Sequence, residues 1–186
     1  MVKRAGWWFG IIVSGVVGSL CAQEPGLPFL RYGVGAHAQS MGNAYLAQVH
    51  DASAVYWNPS ALSSLESKEA FFYHSRSFAD YNFNFFSYGQ PLAGRRSAFG
   101  AAVTYFSKGT YDGRDEFGSR TGDFTASDSM AALAYSSKLG DKASAGASVK
   151  LIQSKIQSFS STGFALDVSG SYRSSSRTKN SQGRKR

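Results

Sequence analysis

The sequence predicts an all-β protein: part of an antiparallel transmembrane β-barrel, about six strands, fronted by an N-terminal segment of short helices. Three observations carry that expectation. From Lys68 onward, apolar residues recur at every second position, the period of a strand with one apolar face. The connections between these stretches alternate in length, as in barrels with tight turns on one side of a membrane and loops on the other. Aromatics make up 15% of the chain, glycines number 20 and charged residues only 17%, a balance that suits strands better than helices.

Residues 1–22 read as an export signal. Lys3 and Arg4 supply the charged start, Trp7 to Val17 the apolar core, and Ser19, Cys21 and Ala22 the small residues for cleavage after Ala22. The apolar run is about eleven residues, against about twenty for a spanning helix, so cleavage is favoured over anchoring. Bulky Leu20 before Cys21 argues against acylation there. Cys21 is the one cysteine, so a disulfide framework or cysteine metal cluster within the chain is excluded.

Residues 23–66 break the strand period. The stretch from Tyr32 to Leu65 is rich in small residues and predicts two or three short helices joined by glycine. Asp51 can cap a helix running through Tyr56. Asn58 then acts as a second N-cap, with Pro59 at the first helical position, where its missing N–H costs nothing. The residue before a proline is pushed out of the α region, so the chain turns at Asn58.

Residues 67–173 hold the strands, predicted at 69–75, 81–90, 97–106, 129–137, 143–151 and 164–172. In 97–106, Phe99, Ala101, Val103 and Tyr105 alternate with Ala98, Gly100, Ala102 and Thr104. In 143–151, Ala145, Ala147, Val149 and Leu151 alternate with Ser144, Gly146, Ser148 and Lys150. In 164–172, Phe164, Leu166, Val168 and Tyr172 alternate with Ala165, Asp167, Ser169 and Ser171. The second face is small and polar, as a lumen would be. The apolar face carries aromatics near strand ends (Tyr105, Tyr135, Phe164, Tyr172), as an interfacial girdle would. The connections 91–96 and 138–142 are short, 76–80 and 158–163 intermediate. Residues 107–128, polar and punctuated by Gly109, Gly113, Gly118 and Gly122, read as a long loop. Residues 174–186 read as a basic disordered tail.

The net charge of +8 sits at the two ends. Lys3 and Arg4 carry two charges, and Arg173, Arg177, Lys179, Arg184, Lys185 and Arg186 carry six, leaving the span between them neutral. A nucleic-acid-binding face is therefore not expected. His37, His50 and His74 lack metal-ligand spacing. Gly33-Val34-Gly35 imitates a dinucleotide loop but lacks a preceding strand and a βαβ unit. Asp112, Asp115, Glu116 and Asp123 fit no calcium-loop spacing, and Arg114 and Arg120 lie among them. No catalytic constellation is readable, so neither an enzyme nor a cofactor is expected.

Met41-Gly42-Asn43-Ala44-Tyr45, Asp51-Ala52-Ser53-Ala54 and Trp57-Asn58-Pro59-Ser60-Ala61-Leu62, placed before amphipathic strands, resemble the N-terminal hatch of FadL-like outer-membrane proteins. That group includes the long-chain fatty-acid transporters and the PorV/PorQ-type barrels; the likeness is greatest to its spirochaetal branch. The resemblance implies a plug of short helices inside an outer-membrane barrel. Met41, Gly42, Asn58 and Pro59 match hatch-motif positions. Tyr56 and Trp57 are candidates for contact with a hydrophobic ligand such as a fatty acid, set against plain packing of hatch on wall. Ser60 stands where the transporters have Ala. Two functions follow as expectations: passage of hydrophobic small molecules, or a structural or interaction role in a surface or secretion complex without transport. Six strands fall short of the about eight at which single-chain barrels begin. The shortfall leads to two further expectations: a truncated or frameshifted, non-functional remnant, or partner chains that complete the barrel within outer-membrane lipid.

Overall fold

The computed structural model describes residues 28–77 and 80–173, and within them a hatch of short helical turns lies against one face of a single antiparallel sheet. The expected signal segment (1–22) and basic tail (174–186) lie outside the described residues. The hatch runs through η1 (Pro28–Arg31), α1 (Ala36–Ser40), α2 (Ala54–Trp57) and η2 (Pro59–Ser64), with η denoting a 3-10 helix. The sheet comprises β1 (Glu69–Arg76), β2 (Asn82–Pro91), β3 (Ser97–Arg114), β4 (Arg120–Lys138), β5 (Ala143–Ile156) and β6 (Phe159–Tyr172), paired in that order. β1 and β6 are its two edges and do not pair with each other, so the sheet is open.

Two expectations are corrected. Residues 107–128 are not a loop: β3 and β4 continue through them to a tip at residues 115–119. β2 pairs with β3 only as far as Ser107, and β5 with β4 only as far as Ala126, so the outer arms form a two-stranded ribbon. Cross-strand pairs replace sheet neighbours there. Tyr111 stacks on Phe124 at 5.4 Å, and Arg120 donates to Asp112 (3.0 Å) and Asp123 (2.8 Å). Polar residues and glycines suit a ribbon wetted on both faces. Residues 158–163 are likewise mostly strand: β5 and β6 run to a two-residue turn at Gln157 and Ser158, with Gln157 in the left-handed region (φ 54).

Alternation places continuous rows of apolar side chains outward, while Phe83, Phe85, Phe106, Met130 and Ile152 point inward and are buried. Phe72, Phe86, Val103, Ala131, Leu151 and Phe164 are consecutive cross-strand partners, one from each strand. The next row, Ala70, Tyr88, Ala101, Leu133, Val149 and Leu166, does the same. Leu133 is 58% exposed and Leu166 69%, so the belt is bare. On β3 the belt runs from Phe99 to Tyr105, about 20 Å at the strand rise, close to the apolar band of about 25 Å on membrane barrels.

The expectation of a small, polar second face holds only in the rows that face η2. Gly89, Gly100, Ala134, Ser148 and Asp167 form one cross-strand row. Ala98, Ser136, Gly146 and Ser169 form another. Onto these rows pack Val55, Leu62 and Leu65 of the hatch, and Phe29 and Val34 are buried in the same core. η2 touches β2 through β6, so the sheet curls around it. The core therefore lies between hatch and wall.

Candidate functional site: the hatch seat

The restart at Asn58-Pro59 is where hatch and wall meet most closely. Asn58 is extended (φ −157, ψ 90), as a residue before proline must be, and Pro59 opens η2 and is buried. The expected side-chain cap at Asn58 is corrected. Its Oδ1 accepts from Ser60 Oγ (2.7 Å) and its Nδ2 donates to the Leu46 carbonyl (3.0 Å). The free N–H at the start of η2, that of Ser60, donates instead to Ser169 Oγ on β6 (2.9 Å). Ser144 Oγ on β5 donates to the Ser60 carbonyl (3.1 Å). Both backbone groups of Ser60 are thus held by strand hydroxyls, one answer to the orphan groups that helix starts leave. The hydroxyl at position 60 is spent within the hatch, on Asn58.

Wall glycines make this approach possible. A Cβ at Gly146 would lie 2.5 Å from Ser60 N and 2.6 Å from the Pro59 carbonyl carbon. One at Gly89 would meet Leu65, and one at Gly100 would meet Val55 and Leu62. Three strands leave out side chains where the hatch fills the space.

Asp51 acts one step earlier than expected. Its Oδ1 accepts from Ser53 N–H (2.8 Å) and Ser53 Oγ, forming a turn whose next residues are α2. Tyr56 and Trp57 follow on α2. The Tyr56 hydroxyl lies 2.7 Å from the Leu30 carbonyl and 2.8 Å from that of Tyr32, and donates to them. Trp57 Nε1 donates to the Val34 carbonyl (3.0 Å). The rings pack edge-on: Tyr56 on Phe85 of β2 at 5.9 Å, Trp57 on Tyr45 at 6.0 Å. The aromatic pair therefore ties the entry segment 30–34 to the restart, and one side of each ring faces a cleft of about 480 Å³ reaching Lys150, Ala165 and Asp167. Lys150 Nζ pairs with Asp167 and lies 5.5 Å from the centre of the Tyr56 ring. Burial, helped by the Asp167 carboxylate, pushes the Tyr56 phenol up to about 12, so it stays a neutral donor.

Met41 and Gly42 stand apart from the seat. Met41 ends α1, its N–H donating to the carbonyls of His37 and Ala38, and packs at the edge of the core. Gly42 is exposed in the left-handed region (φ 62), followed by Asn43 at φ 66, which makes the sharp turn out of α1. The structure thus brings Tyr56, Trp57, Asn58 and Pro59 together at the wall and leaves Met41 and Gly42 as the turn that shapes the loop before them.

Sequence reasoning missed the partners of the restart. Ser144, Ser169 and Gly146 looked like filler on the polar face, and only their register against one another (Gly146 opposite Ser169, Ser144 opposite Ser171) marks them as a platform. It also missed a buried pair on the same inner face: Lys108 Nζ lies 2.8 Å from Asp128, which is 1% exposed and accepts from Ser154 Oγ at 2.6 Å.

No curated protein and no solved structure matches the chain. The family model for the type IX secretion system protein PorV matches residues 22–186, spanning hatch and all six strands. Of the relatives that the hatch motif suggested, the match falls on the PorV-type barrels and lends nothing to the fatty-acid transporters. The chain belongs to the family of the type IX secretion system protein PorV.

Proposed function

We propose that this protein is an exported outer-membrane barrel component of a type IX secretion system, acting through its surfaces on protein partners and not as a conduit for solutes. The observation that carries this reading is the seated hatch. It packs against the inner face, its backbone is hydrogen-bonded to wall serines on β5 and β6, and it approaches wall glycines closely. A plug held by backbone contacts is suited to a fixed, filled barrel. The bare apolar belt across all six strands supports placement in lipid, and the free edges of β1 and β6 support completion of the wall by further strands. The family match supports a role in the secretion system. Deleting the gene in the source cell and measuring secretion-system cargo in the medium tests the reading. Cargo should be retained in the periplasm, with fatty-acid uptake unchanged.

A second reading, uptake of a hydrophobic carboxylate, has one observation in its favour: the cleft beside Tyr56 and Trp57 combines those rings with Leu30, Leu46 and the Lys150 ammonium, whose present partner is Asp167. In the same deletion strain that reading predicts the opposite pair of results: normal cargo export and reduced uptake.

A further inference from the structure

On the rim that carries the two short turns, opposite the β3–β4 ribbon, a cleft of about 340 Å³ opens between the hatch and the ends of β4, β5 and β6. Three cations converge on it from separate elements. Lys138 ends β4, Lys142 lies in the turn before β5, and Arg173 follows β6. Backbone pairing fixes their proximity: Arg173 N–H donates to the Lys142 carbonyl (2.7 Å), and Lys138 stands opposite Ser144 in the β4–β5 register. Arg173 also donates to Ser64 Oγ of the hatch at 3.4 Å. The cleft contains a single carboxylate, that of Asp141, and among the described residues none of the three cations forms an ion pair. Its inner wall is polar and ordered, with Ser144 Oγ 2.6 Å from Ser171 Oγ. Its outer lip carries Tyr172, 72% exposed on the belt face of β6, and Leu139, 71% exposed, lies in the adjoining turn just after β4.

Three cations against one carboxylate leave this polar cleft a net charge of +2, which attracts a phosphate. An aromatic on the outer lip and a leucine in the adjoining turn supply the surface along which acyl chains would descend from it. We propose that this cleft binds the phosphate headgroup of an anionic glycerophospholipid of the adjoining membrane leaflet. The proposal rests on the outer-membrane reading above. A Lys or Arg at a membrane surface favours anionic lipid by about fivefold, so the net two positive charges left beside Asp141 give a preference of about 25-fold before screening.

The test uses the full chain, purified in detergent and reconstituted separately into phosphatidylglycerol and phosphatidylcholine vesicles. Flotation measures insertion, and the lipids retained after re-extraction are counted by native mass spectrometry. The wild type should float with both vesicles and retain phosphatidylglycerol at least tenfold over phosphatidylcholine. The triple variant Lys138→Gln, Lys142→Gln, Arg173→Gln should float equally and lose the preference. The control Arg95→Gln, Arg96→Gln, at the neighbouring short turn, should keep it. Equal retention of both lipids by the wild type, or unchanged selectivity in the triple variant, overturns the proposal. Displacement of the lipid by inorganic phosphate at equal concentration assigns free phosphate and also overturns it. Failure to float with either vesicle refutes the outer-membrane reading itself.

Discussion

Gly146→Ala offers the sharpest perturbation of the hatch seat. The added Cβ would lie 2.5 Å from Ser60 N and 2.6 Å from the Pro59 carbonyl carbon, whereas ordinary contact begins at 3.4 Å. Both obstacles are backbone, so no rotamer change relieves them, and the restart must retreat by about 0.9 Å. Overpacking of this kind costs about 1–3 kcal/mol. The retreat also stretches the bonds from Ser60 N–H to Ser169 (2.9 Å) and from Ser144 to the Ser60 carbonyl (3.1 Å), each worth about 1 kcal/mol. The wall strand stays folded whether the hatch is seated or open, so its own propensity cancels, and the hatch should open more readily by at least about 3 kcal/mol. Amide hydrogen exchange reads this directly as a rise of roughly a hundredfold across residues 54–65. Gly163→Ala, on β6 with nothing within 4 Å of its Cβ, is the matched control and should leave exchange unchanged. Unaltered exchange in Gly146→Ala would refute the claim that the hatch is locked onto the wall through its backbone.

Other outcomes follow from the same contacts. Tyr56 has a folded-state pKa raised from 10.0 to about 12, so the stability tied to its protonated phenol is whole below pH 10 and lost as pH climbs toward 12; Tyr56→Phe should flatten that part of the unfolding profile, and an unchanged slope would place the loss elsewhere. Asp128→Asn strands Lys108 beside a buried amide and should cost about 3 kcal/mol in urea unfolding from vesicles, while Lys108→Met with Asp128→Leu should recover most of it; equal losses in the two would show that the pair is not what matters. Leu166→Arg, in the middle of the outward belt, should cost about 2–4 kcal/mol in a bilayer, whereas a site facing water would shift by no more than about 0.5 kcal/mol.

The strand alternation was readable because each side chain's face follows from a period of two. Phe99, Val103, Tyr135, Val149, Leu166 and Val168 all point where the pattern put them. The hatch was readable in outline from Gly42, Asn58 and Pro59, whose backbone demands are local. What lay beyond reach was non-local or compensated. Asn58 has an N-cap's sequence signature, yet the N–H it would have capped is satisfied by Ser169, 109 residues on from Ser60. The arms of the β3–β4 ribbon look like loop because Gly109, Gly113 and Gly122 have poor strand propensity, while the Tyr111–Phe124 stack and the Arg120 bonds that offset it appear only once the strands are paired. The inward glycines could be seen to alternate, but what fills the space beside Gly89, Gly100 and Gly146 depends on how the hatch folds back.

The most direct test of the account asks which face of the sheet meets lipid. Single cysteines placed in a Cys21→Ser background at Val103, Leu133, Val149 and Leu166, and at Ala102, Ala132 and Ser148, can carry an environment-sensitive fluorophore in reconstituted protein. The account predicts quenching of the first set by a quencher carried on lipid acyl chains, and no such quenching of the second set, which faces the hatch and the interior. Quenching of the first set by aqueous iodide, with none from the lipid-borne quencher, would contradict it.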